Sequence, residues 1–331
     1  MVHSQPTVKS ECPVCGQTSD SLAFVVREMM LGTREAFRYL QCLGCESLHI
    51  ENPPSDMARF YGGEYYSLHD LSSGGPIQNV LRFVKKVRDS YNVLGKPAAG
   101  SFVQLAAPEK GGALHSLKPI GLTRGARILD VGCGAGAVPL ALKNVGIKKV
   151  VGIDPFLEND LEYDNGLKVY RKTLYDVEED GWDLVMFHHA LEHMTKPRSV
   201  LERASSIIRK GGTCLIRTPI VPSFAWEKYG ANWVQLDAPR HFQVFSLKGL
   251  ESLGNRVGLQ LEKVVYDSTE FQFWGSEQNA NDIPMKSDRS YDLNRANSVF
   301  SGKQIRDWRK KSKKLNSEGR GDQAAVIFRK S

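Results

Sequence analysis

Residues 128–136 read Ile-Leu-Asp-Val-Gly-Cys-Gly-Ala-Gly, and this stretch decides the fold. Its short apolar start predicts a buried strand. The glycines that follow, Gly132, Gly134 and Gly136, allow a sharp turn and let a ligand come close to the bare backbone. Residues 137–145 then have the composition of a helix. The stretch therefore predicts a strand, a ligand-binding turn and a helix in succession.

A second apolar run ends in an acid. Residues 149–154 read Lys-Val-Val-Gly-Ile-Asp, which predicts the next strand with Asp154 at its tip. In an open parallel sheet, an acid at this point accepts hydrogen bonds from ribose hydroxyls. The turn differs from the dinucleotide pattern Gly-x-Gly-x-x-Gly, because its glycines alternate and Asp130 precedes them. A carboxylate there would repel a pyrophosphate and suits a cationic ligand, such as an ammonium or a sulfonium.

These motifs resemble those of the class I S-adenosylmethionine-dependent methyltransferases, which have Asp-x-Gly-x-Gly-x-Gly after one strand and an acid at the end of the next. The resemblance implies an α/β fold with a Rossmann-like sheet of seven strands, the last one antiparallel, and helices on both faces. It implies that Leu174 or Tyr175 contacts the adenine and that Phe187 and His188 border the methionine arm. The cofactor-binding residues implied in this way are Asp130, Gly132, Gly134, Gly136, Asp154, Leu174, Phe187 and His188.

Further strands and helices alternate along the rest of the chain. Two helices are predicted at Pro197–Arg209 and Ser246–Arg256, the first with proline in its first turn. This alternation is typical of a largely parallel, doubly wound sheet. The remaining strand candidates are Leu167–Leu174, Trp182–His188, Thr213–Pro219, Leu259–Asp267 and Ala324–Arg329.

Four of the six cysteines form two Cys-x-x-Cys pairs near the N-terminus. The pairs are Cys12/Cys15 and Cys42/Cys45, and 26 residues separate them. In a reducing compartment this pattern predicts a tetrahedral zinc site, with a disulfide pair or a redox motif as the alternative. Four thiolates leave no open position for substrate, so the zinc would be structural. We predict a zinc ribbon over residues 1–50 and expect the metal to supply its folding energy.

Length, charge and hydropathy limit the remaining possibilities. The chain has 331 residues, enough for one large α/β domain and a small module. We predict a linker and helical cap over residues 51–120, including an amphipathic helix at Ile77–Leu94, and a methyltransferase domain over residues 121–331. No apolar stretch is long enough to span a bilayer and no secretory signal is recognisable, so a cytoplasmic location is expected. The formal net charge of +7 permits an anionic substrate but does not establish nucleic-acid binding.

The predicted fourth strand continues into a histidine-rich segment, which reads His188-His189-Ala-Leu-Glu192-His193. Its Leu-Glu-His triplet resembles a signature of methyltransferases that act on small molecules and saccharides. Two interpretations remain open. His189, Glu192 and His193 could bind a divalent metal from one helical face, as Glu-x-x-Glu-His does in some family members. Alternatively, Glu192 and His193 hold the neighbouring loop by hydrogen bonds. A general-base role for His188, His189 or His193 is also possible, because imidazole titrates near neutrality.

A long segment at residues 219–246 follows the predicted fifth strand, and we interpret it as a functional loop. Its aromatic residues Trp226 and Trp233 could stack on sugar or ring faces. Its end, Pro239-Arg-His-Phe-Gln-Val-Phe-Ser246, resembles the Pro-x-His-x-x-x-Phe-Ser stretch of zinc-ribbon methyltransferases that tailor bacterial glycans and natural products. His241 in this motif is the best candidate for a base on the substrate side, with a structural histidine as the alternative.

The sequence thus predicts a methyltransferase that uses S-adenosylmethionine, carries a structural zinc and acts on oxygen or carbon of a small molecule or saccharide. An RNA methyltransferase with a zinc-ribbon RNA-binding module is one alternative. The chain lacks the Asn/Asp-Pro-Pro-Tyr/Phe motif of amino-directed nucleic-acid enzymes, although ring-directed RNA enzymes need not have it. The other alternative is a non-catalytic scaffold that binds the cofactor and recruits a partner. The acceptor and the oligomeric state are not determined by the sequence.

Overall fold

The computed structural model describes residues 7–61, 76–107 and 112–331, and for residues 76–83 it describes the backbone alone. Its helices are α1 (Pro76–Leu94), α2 (Ala99–Ala106), α3 (Ala137–Asn144), α4 (Pro197–Ile207), α5 (Phe224–Tyr229), α6 (Leu247–Arg256), α7 (Phe271–Ala280) and α8 (Gly302–Ser317). Its strands are β1 (Thr7–Glu11), β2 (Thr18–Arg27), β3 (Ala36–Cys42), β4 (Leu48–Ile50), β5 (Arg127–Val131), β6 (Lys149–Ile153), β7 (Leu161–Glu162), β8 (Lys168–Tyr170), β9 (Trp182–His188), β10 (Ile208–Val221), β11 (Gln243–Ser246), β12 (Leu259–Tyr266) and β13 (Gln323–Lys330). No described helix is both long and apolar enough to cross a membrane.

Seven strands form the main part of the sheet, in the spatial order β8, β6, β5, β9, β10, β13, β12. The first five run parallel to one another. β13 is antiparallel to both of its neighbours. The predicted Rossmann-like sheet with an antiparallel last strand is therefore confirmed. The parallel strands end at one edge, where ligands bind in open α/β sheets.

Helices cover both faces of this sheet, because consecutive residues of each strand point to opposite sides. Leu129 and Val185 face the side that carries α4 and α6. Ile128 and Leu184 face the opposite side, against residues of α1 and α3. Apolar side chains are thus buried on both faces of the central strands, as expected for a doubly wound fold.

Element boundaries agree with the prediction at β9 and differ by at least two residues at β8, at β10 and at the end of α4. The strand predicted at Thr213–Pro219 extends over Ile208–Val221. The third parallel strand, predicted at Leu167–Leu174, is limited to Lys168–Tyr170. A 3₁₀ turn begins soon afterwards, because Thr173 caps it with reciprocal hydrogen bonds to Asp176. The helix predicted at Pro197–Arg209 ends at Ile207, since β10 begins at the next residue.

The N-terminal residues 7–50, here called the four-cysteine unit, are joined to the main sheet. β1, β2, β3 and β4 form an antiparallel run within the unit. β4 then pairs with β11, with His49 opposite Gln243 and Leu48 opposite Val244. The hydroxyl of Tyr39 also donates to the backbone oxygen of His241, at 2.8 Å. The unit therefore lies against the segment that contains the predicted base.

The interpretation of residues 219–246 as a long loop is wrong. Ser223 caps α5, 3₁₀ turns follow at Gly230–Asn232 and Val234–Leu236, and β11 completes the segment. Trp233 is fully buried and its indole nitrogen donates to Asp322, at 2.9 Å. Trp226 packs edge-on against Phe24 at 5.0 Å between ring centroids. Both tryptophans belong to the hydrophobic core, so the predicted stacking on a sugar is also wrong.

Candidate active site

The glycine turn connects β5 to α3 at the carboxyl edge of the sheet. Gly132, Gly134 and Gly136 all have positive φ, at 72°, 56° and 83°. A Cβ on Gly132 would lie 2.7 Å from the Cβ of Ala190, and one on Gly136 would lie 2.7 Å from Cγ2 of Val169. Side chains at these positions are therefore excluded by both backbone conformation and space. The turn presents bare backbone to the sheet edge.

Asp154 follows β6, the strand next to β5, and its carboxylate holds the glycine turn. One oxygen accepts a hydrogen bond from the backbone N–H of Gly134 at 2.8 Å. The other accepts from the N–H of Phe156 at 2.9 Å. Each carboxylate oxygen has a second lone-pair direction, so ribose hydroxyls could still donate to this residue.

Asp130 is the penultimate residue of β5, just before the turn, and is almost completely buried. Its Oδ1 has no hydrogen-bond partner among the described residues. Burial and, secondarily, the charge of Asp154 raise the pKa of this carboxyl well above its usual range. A cationic group of a ligand would stabilise the carboxylate of Asp130 against both its burial and the charge of Asp154. Asp130 therefore suits the positive charge of S-adenosylmethionine.

Leu174 lies in the 3₁₀ turn after β8, and Phe187 and His188 lie at the end of β9, which β5 and β6 separate from β8. Their side chains have different surroundings. Leu174 and Phe187 are buried in the core, which leaves only their backbone for a ligand. Tyr175, with 57% of its surface exposed, is the more accessible of the two predicted adenine contacts. Both ring nitrogens of His188 are buried without a partner among the described residues. Burial and then the charge of Arg217 lower the pKa of His188 well below its usual range.

A cavity of about 560 Å³ opens beside this edge. Residues 26–31 of the four-cysteine unit, residues 231–241 and residues near α7 line it. The volume is in the range of pockets for drug-sized molecules. His189, His193 and His241 line the cavity, whereas His188 does not. Of the four predicted base candidates, the structure thus brings three together.

The imidazoles of His193 and His241 pack edge to face, with 4.7 Å between their ring centroids. Nδ1 of His193 lies 2.9 Å from the backbone oxygen of Arg240, and Nδ1 of His241 lies 2.8 Å from that of Gln235. Because a carbonyl can only accept, each Nδ1 must carry the hydrogen, which leaves each Nε2 with a lone pair. Both rings are therefore held in the tautomer that can accept a proton or bind a metal.

Glu192 completes a cluster with these histidines, since ligand atoms from the three residues all lie within 4.8 Å of one another. Its side chain is fully buried, and its Oε2 has no partner among the described residues. Burial alone would raise the pKa of the Glu192 carboxyl. The hydrogen bond from His189 and the neighbouring imidazoles outweigh burial, so this pKa is lowered to about 2. Burial and then the charge of His241 lower the pKa of His193 to about 4.

The predicted metal group of His189, Glu192 and His193 is not the one that the described residues form. Leu191–His193 is a single 3₁₀ turn, and His189 has a positive φ of 51°, so the three side chains do not share a helical face. Nδ1 of His189 instead lies 3.2 Å from a carboxylate oxygen of Glu192. His241 takes the third position of the cluster.

An aromatic contact connects the cofactor edge with the histidines. Phe156, two residues after Asp154, is 70% exposed. Its ring stacks on Tyr61 with 5.8 Å between centroids. The ring of Tyr61 in turn lies 6.3 Å from that of His193. Phe156 and Tyr61 were not predicted as site residues, because nothing in their local sequence distinguishes them from core aromatics.

The four cysteines fit a tetrahedral metal. The Sγ atoms of Cys12 and Cys45 are 3.7 Å apart, and those of Cys15 and Cys42 are 3.8 Å apart. Four sulfurs at about 2.3 Å from a zinc ion would be separated by roughly 3.8 Å. The residues after the two pairs, Gly16 and Glu46, have matching φ values of 65° and 68°. All four cysteines are buried and no disulfide joins them.

A family model described as a methyltransferase domain matches residues 102–264. The ubiquinone biosynthesis O-methyltransferase of Xanthomonas euvesicatoria is 33% identical over 180 residues, which are 46% of this chain and 73% of that protein. The chain belongs to the class I S-adenosylmethionine-dependent methyltransferases.

Two further relatives match over shorter segments. The ubiquinone biosynthesis O-methyltransferase of Bordetella avium is 32% identical over 151 residues, and the match covers 38% of this chain and 61% of that relative. The mitochondrial protein of the same name from Dictyostelium discoideum is 31% identical, with 31% of this chain and 38% of the relative covered. Among solved structures, a geranyl diphosphate methyltransferase with bound S-adenosylmethionine has a TM-score of 0.44 and 15% identity, with 73% of this chain and 95% of that chain covered.

Proposed function

We propose that this protein transfers a methyl group from S-adenosylmethionine to a hydroxyl oxygen of a small molecule bound in the 560 Å³ cavity. The proposal rests mainly on two imidazoles that line the cavity, those of His193 and His241. The Nδ1 atom of each is hydrogen-bonded to a backbone carbonyl oxygen. Proton acceptors in a cavity beside a cofactor site are what methylation of a hydroxyl requires.

The residues that would hold the cofactor belong to this chain's own sheet edge. Gly132, Gly134 and Gly136 provide the close approach, Asp130 faces the positive charge, and Asp154 accepts from the ribose. Backbone at Leu174, Phe187 and His188 would complete the site, with Tyr175 near the adenine. When bound, S-adenosylmethionine supplies a methyl group on a positively charged sulfur.

His241 is the proposed general base, with His193 as its partner. Nε2 of His241 would accept the hydroxyl proton as the acceptor oxygen attacks the methyl carbon. Burial keeps His193 neutral at physiological pH, because its pKa lies near 4. Most of the rate enhancement would come from the orientation of the acceptor in the cavity.

The names of the relatives support an oxygen acceptor, since those at about 30% identity are called O-methyltransferases. Carbon methylation is less favoured, because these relatives are named for transfer to oxygen. A saccharide acceptor is less favoured, because Trp226 and Trp233 pack in the core. The RNA alternative is also less favoured, because the four-cysteine unit packs along the acceptor cavity. The metal that we propose for Cys12, Cys15, Cys42 and Cys45 is a structural zinc.

A second use of the histidine cluster is supported by one observation, the unpartnered Oε2 of Glu192. Two imidazoles and a carboxylate could bind a divalent cation instead of accepting a proton. Manganese titration followed by paramagnetic resonance would distinguish the two uses. Stoichiometric binding that is lost in Glu192→Gln but kept in the exposed control Glu178→Gln would favour the metal. No binding would favour the base.

Methyl transfer can be tested with S-adenosylmethionine that carries a tritiated methyl group and a panel of phenols, alcohols and sugars. We expect labelled phenols or alcohols, with one S-adenosylhomocysteine formed per methyl group transferred. Tight cofactor binding without label in any acceptor would contradict the proposal and would favour the non-catalytic scaffold.

A further inference from the structure

We propose that the tip loop of the four-cysteine unit (residues 28–33) is the specificity wall of the acceptor cavity, and that Glu28 is the residue that positions it. This inference rests on the proposed function and names its acceptor class. The acceptor would carry its hydroxyl on an apolar body that packs against this loop. The four-cysteine unit would then select the acceptor.

Glu28 organises the tip loop from within. Its side chain is fully buried just after β2. One carboxylate oxygen accepts hydrogen bonds from the N–H groups of Met30 and Leu31, at 2.9 and 2.8 Å. The other accepts from those of Gly32 and Thr33, both at 2.9 Å. Four backbone donors on one buried carboxylate fix the loop conformation, because charge-assisted hydrogen bonds are strong.

The same loop is attached to both sides of the cavity. Nη1 of Arg240, the neighbour of His241, lies 3.5 Å from Glu28 and donates to the backbone oxygen of Phe60 at 2.8 Å. On the other flank of the loop, the backbone oxygens of Met29 and Met30 accept from the N–H groups of Met285 and Lys286, at 2.8 and 2.9 Å. A change in the loop would therefore alter the shape of the cavity without touching the glycine turn.

The cavity wall formed by the tip loop and its neighbours is apolar. Met29, Met30 and Leu31 line the cavity from the tip loop, and Phe271 and Met285 line it beside them, in the same apolar cluster as Met30. Methionine adapts its shape to irregular apolar ligands. This composition favours an acceptor with an aliphatic or aromatic body over a highly hydroxylated one.

The charges in the cavity argue against a polyanionic acceptor. Arg217 pairs with Asp267 at 2.5 Å, and Arg27 pairs with Asp282 at 2.9 Å. Arg240 is bonded to Asp237. Three of the cavity's cations are thus already paired with aspartates, which disfavours recognition of a phosphorylated or nucleotide-linked molecule at these residues.

The test uses a series of 4-alkylphenols, from methyl to hexyl, titrated into the zinc-loaded full chain saturated with S-adenosylhomocysteine. We expect affinity to rise about fourfold for each added methylene, because each one buries apolar surface. In Glu28→Gln, the side-chain amide N–H₂ would face two backbone N–H groups and could not accept their hydrogen bonds. The gain in affinity for each added methylene should therefore fall below about twofold. Glu11→Gln, an exposed change in the same unit, should keep the wild-type gain.

A second variant covers the case in which Glu28→Gln does not fold. Met30→Trp places a large ring in the cavity, and we expect it to weaken hexylphenol binding more than tenfold while S-adenosylhomocysteine binds as before.

Wild-type affinity that does not depend on the length of the alkyl chain, or undetectable phenol binding, would overturn the inference. If S-adenosylhomocysteine binds normally in that case, only this inference fails. If it does not bind, the proposed function fails.

Discussion

Replacing Cys42 with serine is expected to remove the metal and unfold the four-cysteine unit. A structural zinc site contributes about 10–16 kcal/mol of apparent folding free energy in small domains, far more than most single contacts. Residues 7–50 have little core of their own around the cysteines, so the loss cannot be compensated locally. Because β4 pairs with β11, the segment before β11 that holds His241 should also lose its support.

Metal analysis and thermal melting would measure this effect. The wild type should contain one equivalent of zinc, and Cys42→Ser should contain almost none and melt at lower temperature. Cys214→Ala is the matched control, because Cys214 is buried in β10 away from the metal group. Wild-type protein with far less than one equivalent of metal would contradict the zinc proposal.

Replacing His241 with alanine is expected to lower kcat by about 10²- to 10⁴-fold, the usual contribution of a general base. The base would be lost while the glycine turn and Asp154 remain intact, so affinity for S-adenosylhomocysteine should not change. His241→Gln should not restore the rate, because an amide cannot accept a proton at neutral pH.

The control for this prediction is His115→Ala, an exposed histidine on a 3₁₀ turn outside the cavity lining. It should retain wild-type kcat. A His241→Ala protein with unchanged kcat and KM would exclude this residue as the base. A smaller loss in His193→Ala than in His241→Ala would agree with the partner role of His193.

Local sequence patterns predicted the elements whose signals lie within a few residues. The alternating glycines and the acid at the end of the next strand predicted the turn and the position of Asp154. Trp182–His188 was predicted with its observed boundaries, because its apolar run ends in polar residues. Ser246 precedes α6 as its cap, and its hydroxyl accepts from Gly249 N–H at 2.8 Å.

The cavity could not be predicted in the same way, because distant residues assemble it. Met29 and Met285 meet only after the chain has folded, and no spacing in the sequence indicates this contact. The burial of Trp233 depends on Asp322, which lies 89 residues away. The positive φ of His189 removed it from the metal group that its helical spacing suggested. Contacts between residues distant in sequence therefore determine which residues form the site, wherever local sequence patterns allow more than one interpretation.

Calorimetric titration of the intact protein with S-adenosylhomocysteine tests the central claim most directly. We expect one-site binding that Asp154→Ala weakens strongly, whereas the exposed control Asp164→Ala leaves it unchanged. Gly134→Val should also weaken binding, because its backbone φ of 56° disfavours a branched side chain. Absence of binding by the wild type, or equal binding by all of these variants, would contradict the assignment of this sheet edge as an S-adenosylmethionine site.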